Sequence, residues 1–114
     1  MTNTYKSLSE IDTLVSKFTA LDANNLSFTH EAHLTVGLWY SYYFDHHDAI
    51  CRVRSGIIQF NGASGAENTG NAGYHETLTN FWMDVICYFR ASSGDLTLLE
   101  LCNQFLASPL SDRQ

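Results

Sequence analysis

Basic residues are scarce in this chain of 114 residues, which has six Lys and Arg against twelve Asp and Glu and a net charge of −6. Nucleic acids and anionic membrane surfaces are bound mainly by lysine and arginine side chains that neutralise phosphates. The composition therefore argues against nucleic acid and against a membrane surface as partners. It favours a small molecule or another protein.

Long apolar runs are also missing. The longest aromatic run, 39–44, is interrupted by Ser41, and it is far shorter than the roughly 20 apolar residues that a membrane-spanning helix needs. The first residues, Met-Thr-Asn-Thr-Tyr-Lys, lack the apolar stretch of a signal peptide. The three cysteines, Cys51, Cys87 and Cys102, form no Cys-x-x-Cys motif. Their odd number inside apolar segments indicates reduced, buried thiols, so we expect a cytoplasmic protein.

Apolar residues, by contrast, are plentiful: they make up 45% of the chain and include seven Phe, six Tyr and two Trp. This length predicts a single domain, residues 1–114, that buries roughly 60–70% of its unfolded surface. Five segments repeat apolar residues with the period of a helix, and none alternates cleanly between turns as a strand would. The predicted fold is all-α, a bundle of four to five helices.

Helix boundaries follow from capping residues and breakers. The first helix is predicted to start at Ser7, with Glu10 completing a capping box. The second helix is predicted to span residues 30–44, with Thr29 or Ser27 as its N-cap, and the third to run from Asp45 through Phe60. The fourth is predicted to span residues 75–91, and the fifth to run from the N-cap Asp95 to just before Pro109. Residues 61–73 are predicted to be the one long loop, and Asp45–Asp48 a tight connection in which His46 and His47 are solvated. Gly56, inside the third helix, predicts close helix packing.

The second predicted helix is apolar around almost its whole circumference, because Trp-Tyr-Ser-Tyr-Tyr-Phe fills residues 39–44. Such a helix is either central in the fold or half of an interface. We expect more apolar surface than a domain of this size covers, and hence a homodimer. Trp39–Phe44 is the first candidate interface, and the outer side of the fourth helix is the second.

Two short stretches place imidazoles beside carboxylates at predicted helix starts. His30 and His33 share one helix face with Glu31 between them, and His75 precedes Glu76 at the start of the fourth helix. Three imidazoles and a carboxylate suit Zn²⁺, or Fe²⁺ with open positions. The positive end of a helix dipole favours neutral imidazole, the form that a metal ligand or a general base requires.

These two stretches also resemble a family of small bacterial helical proteins of uncharacterised function. The matching motifs are Phe28-Thr29-His30-x-x-His33-Leu34 followed by Trp39-Tyr40, and Gly73-Tyr74-His75-Glu76-Thr77-Leu78-Thr79-x-Phe81-Trp82. The resemblance extends over about residues 26–90 and includes the segment Arg54–Asn61. It implies an all-helical fold with functional weight on His30, His33, His75 and Glu76, and it implies no particular reaction.

The leading hypothesis is a metal-dependent, hydrolase- or lyase-like site. His30, His33 and His75 would hold the metal, and Glu76 would act as general base. Without a metal, His75 and Glu76 could still transfer protons. A shared site requires the second and fourth helices to run roughly parallel, since antiparallel neighbours would place their starts at opposite ends.

Two non-enzymatic interpretations stand beside this hypothesis. The domain could bind a small ligand, including a cationic one, through Glu31, Glu76 and the tyrosines Tyr40 and Tyr74. It could also be a dimerising structural domain. In that case the histidines at the helix starts would only hydrogen-bond neighbouring carbonyl or carboxylate groups.

Overall fold

The computed structural model describes residues 5–22, 24–26, 29–64 and 76–111, apart from the side chains of residues 64 and 76–78. This part of the chain forms α1 (Leu8–Thr19), α2 (His30–Tyr43), α3 (His46–Ser64), α4 (Glu76–Ser92) and α5 (Leu98–Ala107), followed by a 3-10 turn, Pro109–Ser111. It contains no strand. The predicted all-α fold is confirmed.

The starts of the first three helices are held by side chains that accept hydrogen bonds from free backbone N–H groups, as predicted. The pairs are Glu10 Oε1 with Ser7 N (3.3 Å), Thr29 Oγ1 with Ala32 N (3.2 Å) and Asp45 Oδ1 with Asp48 N (2.8 Å). Glu10 also accepts from the backbone of Lys6. These local interactions fix where each helix begins.

Two predicted boundaries are wrong. The fifth helix begins at Leu98 with Thr97 as its N-cap, two residues later than Asp95 would place it. Thr97 and Glu100 form a capping box, in which Glu100 N donates to Thr97 Oγ1 (3.2 Å) and Thr97 N donates to Glu100 Oε1 (2.9 Å). The bonds that Glu100 Oε1 accepts from Thr97 N and from Thr97 Oγ1 (3.1 Å) lower the pKa of the Glu100 carboxyl group. The third helix continues to Ser64, so residues 61–64 are helical rather than part of the loop.

α2 is the central element of the bundle, because it packs against each of the other four helices. Its buried residues lie on all sides and include Leu34, Val36 and Leu38. In the predicted interface segment Trp39–Phe44, only Tyr43 is exposed, while Tyr40 and Ser41 are buried and the other three residues are partly buried. Apart from Tyr43, the apolar circumference of α2 is therefore covered within one chain.

Gly56 lies where α1 meets α3, and the predicted close packing is confirmed. A Cβ atom at this position would lie 2.5 and 2.6 Å from Cε2 and Cζ of Phe18. The Phe18 ring is 1% exposed and stacks on Phe60 with a centroid separation of 5.8 Å. The missing side chain of Gly56 thus provides the space that this ring occupies.

α2 and α4 run parallel, because successive contacts between them advance toward the C-terminal end of both helices. The ring of His30 lies against Trp82 near the start of α2. In the middle, a Cβ atom on Gly37 would lie 2.8 Å from Ile86 Cδ1. At the end, the Arg90 guanidinium donates to the Tyr42 carbonyl at 3.3 Å. The beginnings of these two helices therefore lie at the same end of the bundle.

All three cysteines are free thiols, but only Cys102 is buried, whereas Cys51 and Cys87 are half-buried. Burial raises the pKa of the Cys102 thiol to about 12. Because the thiolate is the reactive form, we expect iodoacetamide at mildly alkaline pH to alkylate Cys51 and Cys87 well before Cys102. Mass spectrometry of digested native and denatured protein would measure this order. Equal labelling of Cys102 in the native protein would contradict its burial.

None of the described helices is long and apolar enough to cross a lipid bilayer.

Candidate functional site

His30 is the first residue of α2, directly after the N-cap Thr29. Its Nε2 atom lies 2.8 Å from the carbonyl oxygen of Ser111, and its ring contacts Trp82 edge-on with centroids 5.0 Å apart. A carbonyl oxygen can only accept a hydrogen bond, so Nε2 carries the proton. In the neutral imidazole, Nδ1 then holds the lone pair.

His33 follows one turn later and has the opposite tautomer. Its Nδ1 atom lies 2.9 Å from the carbonyl oxygen of Thr29, four residues back in the chain. Nδ1 therefore donates, and Nε2 of the neutral ring holds the lone pair. Residues three apart on a helix are neighbours, with Cβ atoms about 5–6 Å apart. The first turn of α2 thus carries two imidazoles of defined tautomer close together.

Carbonyl hydrogen bonds of this kind fit two interpretations of the histidines. They agree with the structural interpretation, in which a histidine at a helix start bonds a neighbouring carbonyl group. They are also typical of metal-binding histidines, which usually donate their second ring N–H to a carbonyl or carboxylate group, so that the ligand nitrogen is oriented. The two bonds therefore hold the rings in place.

α4 begins with Glu76 at the same end of the bundle as the start of α2. Its residue Trp82 lies beside His30, and six residues of helix separate Glu76 from Trp82, a rise of about 9 Å. The parallel course that a shared site requires is therefore present. The described part of the chain does not include His75, Tyr74 or the side chain of Glu76, all of which were predicted site residues.

Of the remaining predicted ligand-binding residues, Glu31 directly follows His30, whereas Tyr40 lies away from it. Glu31 is exposed on α2. Tyr40 is 8% exposed and contacts Trp39 and Phe44, with centroids 5.0 and 5.8 Å apart. Tyr40 lies ten residues after His30 on α2, which is about 15 Å along the helix axis. Burial raises the pKa of the Tyr40 hydroxyl, an effect that nearby Arg52 partly offsets. Tyr40 is thus a core residue.

His46 and His47, predicted to be solvated residues next to the N-cap Asp45, are the first two residues of α3. Of the two, only His47 is exposed. His46 is half-buried, and its Nε2 lies 3.1 Å from Asp84 Oδ1, so it links α3 to α4. Exposed His47 approaches Cys51, with Nε2 3.9 Å from Sγ. These contacts are at a different place from the first turn of α2.

Within the part of the chain that the structure describes, no three His, Cys, Asp or Glu side chains are arranged to hold a metal ion. A metal site at the start of α2 therefore depends on residues outside that part, of which His75 is the predicted one. The sequence interpretation did not identify Ser111, the partner of His30. Its contact spans 81 residues, and no local pattern in the sequence indicates it.

Comparisons of the chain with models of known protein families, with curated proteins and with solved structures find no match.

Proposed function

We propose that the end of the bundle where α2 and α4 begin binds a divalent metal ion, Zn²⁺ or Fe²⁺, through His30, His33 and His75. The single observation that carries the proposal is the pair of carbonyl hydrogen bonds on α2. His30 donates to Ser111 at 2.8 Å and His33 donates to Thr29 at 2.9 Å. Each ring is thereby oriented by a carbonyl group, as in metal-binding histidines.

We choose His75 as the third ligand because of its position in the chain. It immediately precedes α4, which begins at the same end of the bundle as α2. Three neutral imidazoles leave an open position on a tetrahedral zinc ion, which is the arrangement of catalytic rather than structural zinc sites. The proposed site therefore suits an enzyme.

The reaction class that we propose is hydrolase- or lyase-like. A metal ion at an open site supplies Lewis acidity and lowers the pKa of bound water. Glu76, next to His75 in the chain, would accept the proton as general base. The substrate would be a small molecule, and we place the protein in the cytoplasm. A small-ligand-binding module without catalysis is the alternative, with the same histidines and Glu76 holding the ligand.

Metal content tests this proposal most directly. Untagged protein, incubated with zinc and then desalted, is expected to retain about one zinc ion per chain. Inductively coupled plasma mass spectrometry would measure zinc and iron together. A His30→Ala, His33→Ala double variant is expected to retain none, whereas a His46→Ala, His47→Ala double variant should retain as much as the wild type. A wild-type protein without zinc or iron would refute the proposal.

We further propose that the chain forms a homodimer through the outer face of α4. Phe81 and Tyr88 lie on that face, two helical turns apart, and are 54% and 67% exposed. Exposed aromatic residues at this spacing form an apolar stripe that a second copy can cover. Sedimentation at about 10 μM is expected to give a dimer, and Tyr88→Ala a larger monomer fraction. A monomeric wild type at this concentration would contradict the proposal.

A further inference from the structure

Tyr5, two residues before the N-cap Ser7, is held on the bundle through its backbone. Its N–H group donates to Asn103 Oδ1 at 2.8 Å, and Asn103 Nδ2 donates to its carbonyl oxygen at 3.0 Å. The side-chain amide of Asn103, on α5, thus pairs with both polar backbone groups of one residue. Residues near a chain terminus are commonly poorly ordered unless such contacts tie them down.

The side chain of Tyr5 reaches α2. Its hydroxyl oxygen lies 2.7 Å from Thr35 Oγ1, and Thr35 is fully buried. Thr35 Oγ1 donates its one proton to the carbonyl oxygen of Glu31 at 2.9 Å, so the Tyr5 hydroxyl is the donor in the bond with Thr35. The partly buried Tyr5 ring also packs against the core. Tyr5 therefore connects α5 to α2 from outside the helices.

Cys102 lies close to Tyr5 in the core. It directly precedes Asn103 on α5 and is fully buried. Burial raises the pKa of the Tyr5 hydroxyl, the bond to Thr35 lowers it, and the interaction with the Cys102 thiol raises it further. The hydroxyl and the thiol are thus near enough to interact. Tyr5 covers the part of the core that contains this thiol.

We propose that residues 5–6 form a strap that opens as a unit while the five helices stay folded, and that its opening exposes Cys102. The strap precedes α1, so its release breaks no hydrogen bond within a helix. The few hydrogen bonds that hold it each contribute modestly in water, so opening costs less than global unfolding. The strap would then control whether the Cys102 thiol can react. This device does not depend on the proposed metal site.

Three variants of the full-length chain separate the strap from the rest of the fold. Tyr5→Phe removes only the hydroxyl bond to Thr35. Asn103→Ala removes the two bonds to the Tyr5 backbone and keeps the tyrosine. Tyr43→Ala is the control, since it removes a tyrosine side chain that is 51% exposed at the far end of the helix that carries Thr35.

Alkylation of Cys102 by iodoacetamide at mildly alkaline pH measures the opening. Burial raises the pKa of this thiol to about 12, and the thiolate is the reactive form, so labelling requires exposure. Trypsin releases Cys102 in a peptide, residues 91–113, that contains no other cysteine. Tyr5→Phe and Asn103→Ala are each expected to speed its labelling about 3–10-fold, the effect of losing one or two hydrogen bonds. Tyr43→Ala should label at the wild-type rate.

Urea at concentrations well below the unfolding midpoint distinguishes strap opening from global unfolding. Opening of the strap exposes little surface, so the labelling rate of Cys102 should hardly change with urea, whereas labelling through global unfolding would rise steeply. A flat dependence together with faster labelling in both strap variants would support the proposal. A steep dependence in the wild type, or strap variants that label no faster than Tyr43→Ala, would overturn it.

Discussion

Replacing Phe18 with alanine is expected to lower the free energy of unfolding by about 3–5 kcal/mol. The Phe18 ring is 1% exposed, fills the space over Gly56 and stacks on Phe60. Its removal would leave a cavity between α1 and α3 that the rigid helix backbones cannot close. Urea denaturation followed by far-ultraviolet circular dichroism would measure the change as a shift in midpoint at nearly constant slope.

Leu8→Ala is the control for this prediction, since it also replaces a large apolar side chain of α1 with alanine. Leu8 is 40% exposed, and substitutions at exposed positions usually alter stability by no more than about 0.5 kcal/mol. Similar losses for the two variants would show that Phe18 does not occupy the core position described here.

Replacing His75 with alanine is expected to weaken zinc binding by at least about 100-fold, because loss of a group that merely orients a ligand already costs 10–100-fold. The fold should be retained, since the proposed role of His75 is that of a ligand. His75 is a better choice than His30, whose bond to Ser111 at 2.8 Å also supports the fold. Isothermal titration with zinc would give the affinity, and thermal denaturation the stability.

His47→Ala serves as the control, because His47 is exposed and contacts Cys51 on α3 rather than the first turn of α2. It should bind zinc as the wild type does. A His75→Ala protein that loses helical signal before any zinc is added would mean that this histidine supports the fold. The metal hypothesis would then lose its third ligand.

The helices could be predicted because their signals are local. Apolar periodicity marked each of them, and side chains within three residues of each start, such as Thr29 and Asp45, held the predicted caps. The start of the fifth helix was predicted wrongly because two nearby residues are candidates for its N-cap. Asp95 can cap a helix, but Thr97 forms a capping box with Glu100, which satisfies more backbone groups.

Tertiary arrangement was harder to predict, because its causes lie far apart in the chain. The sequence left open whether α2 is central or half of an interface, and only packing against the other four helices decided that it is central. The candidate site shows the same limit. The spacing of His30 and His33 was visible in the sequence, whereas the carbonyl of Ser111, 81 residues away, was not.

The central position of α2 has a consequence for amide hydrogen exchange. Val36 and Leu38 are fully buried in the middle of this helix, so the backbone bonds around them break only when the surrounding helices separate. Their exchange rates in deuterated solvent would report the free energy of global unfolding, whereas helices at the periphery can open locally at lower cost. The slowest-exchanging amides of the protein should therefore belong to the same helix that carries His30 and His33 at its beginning.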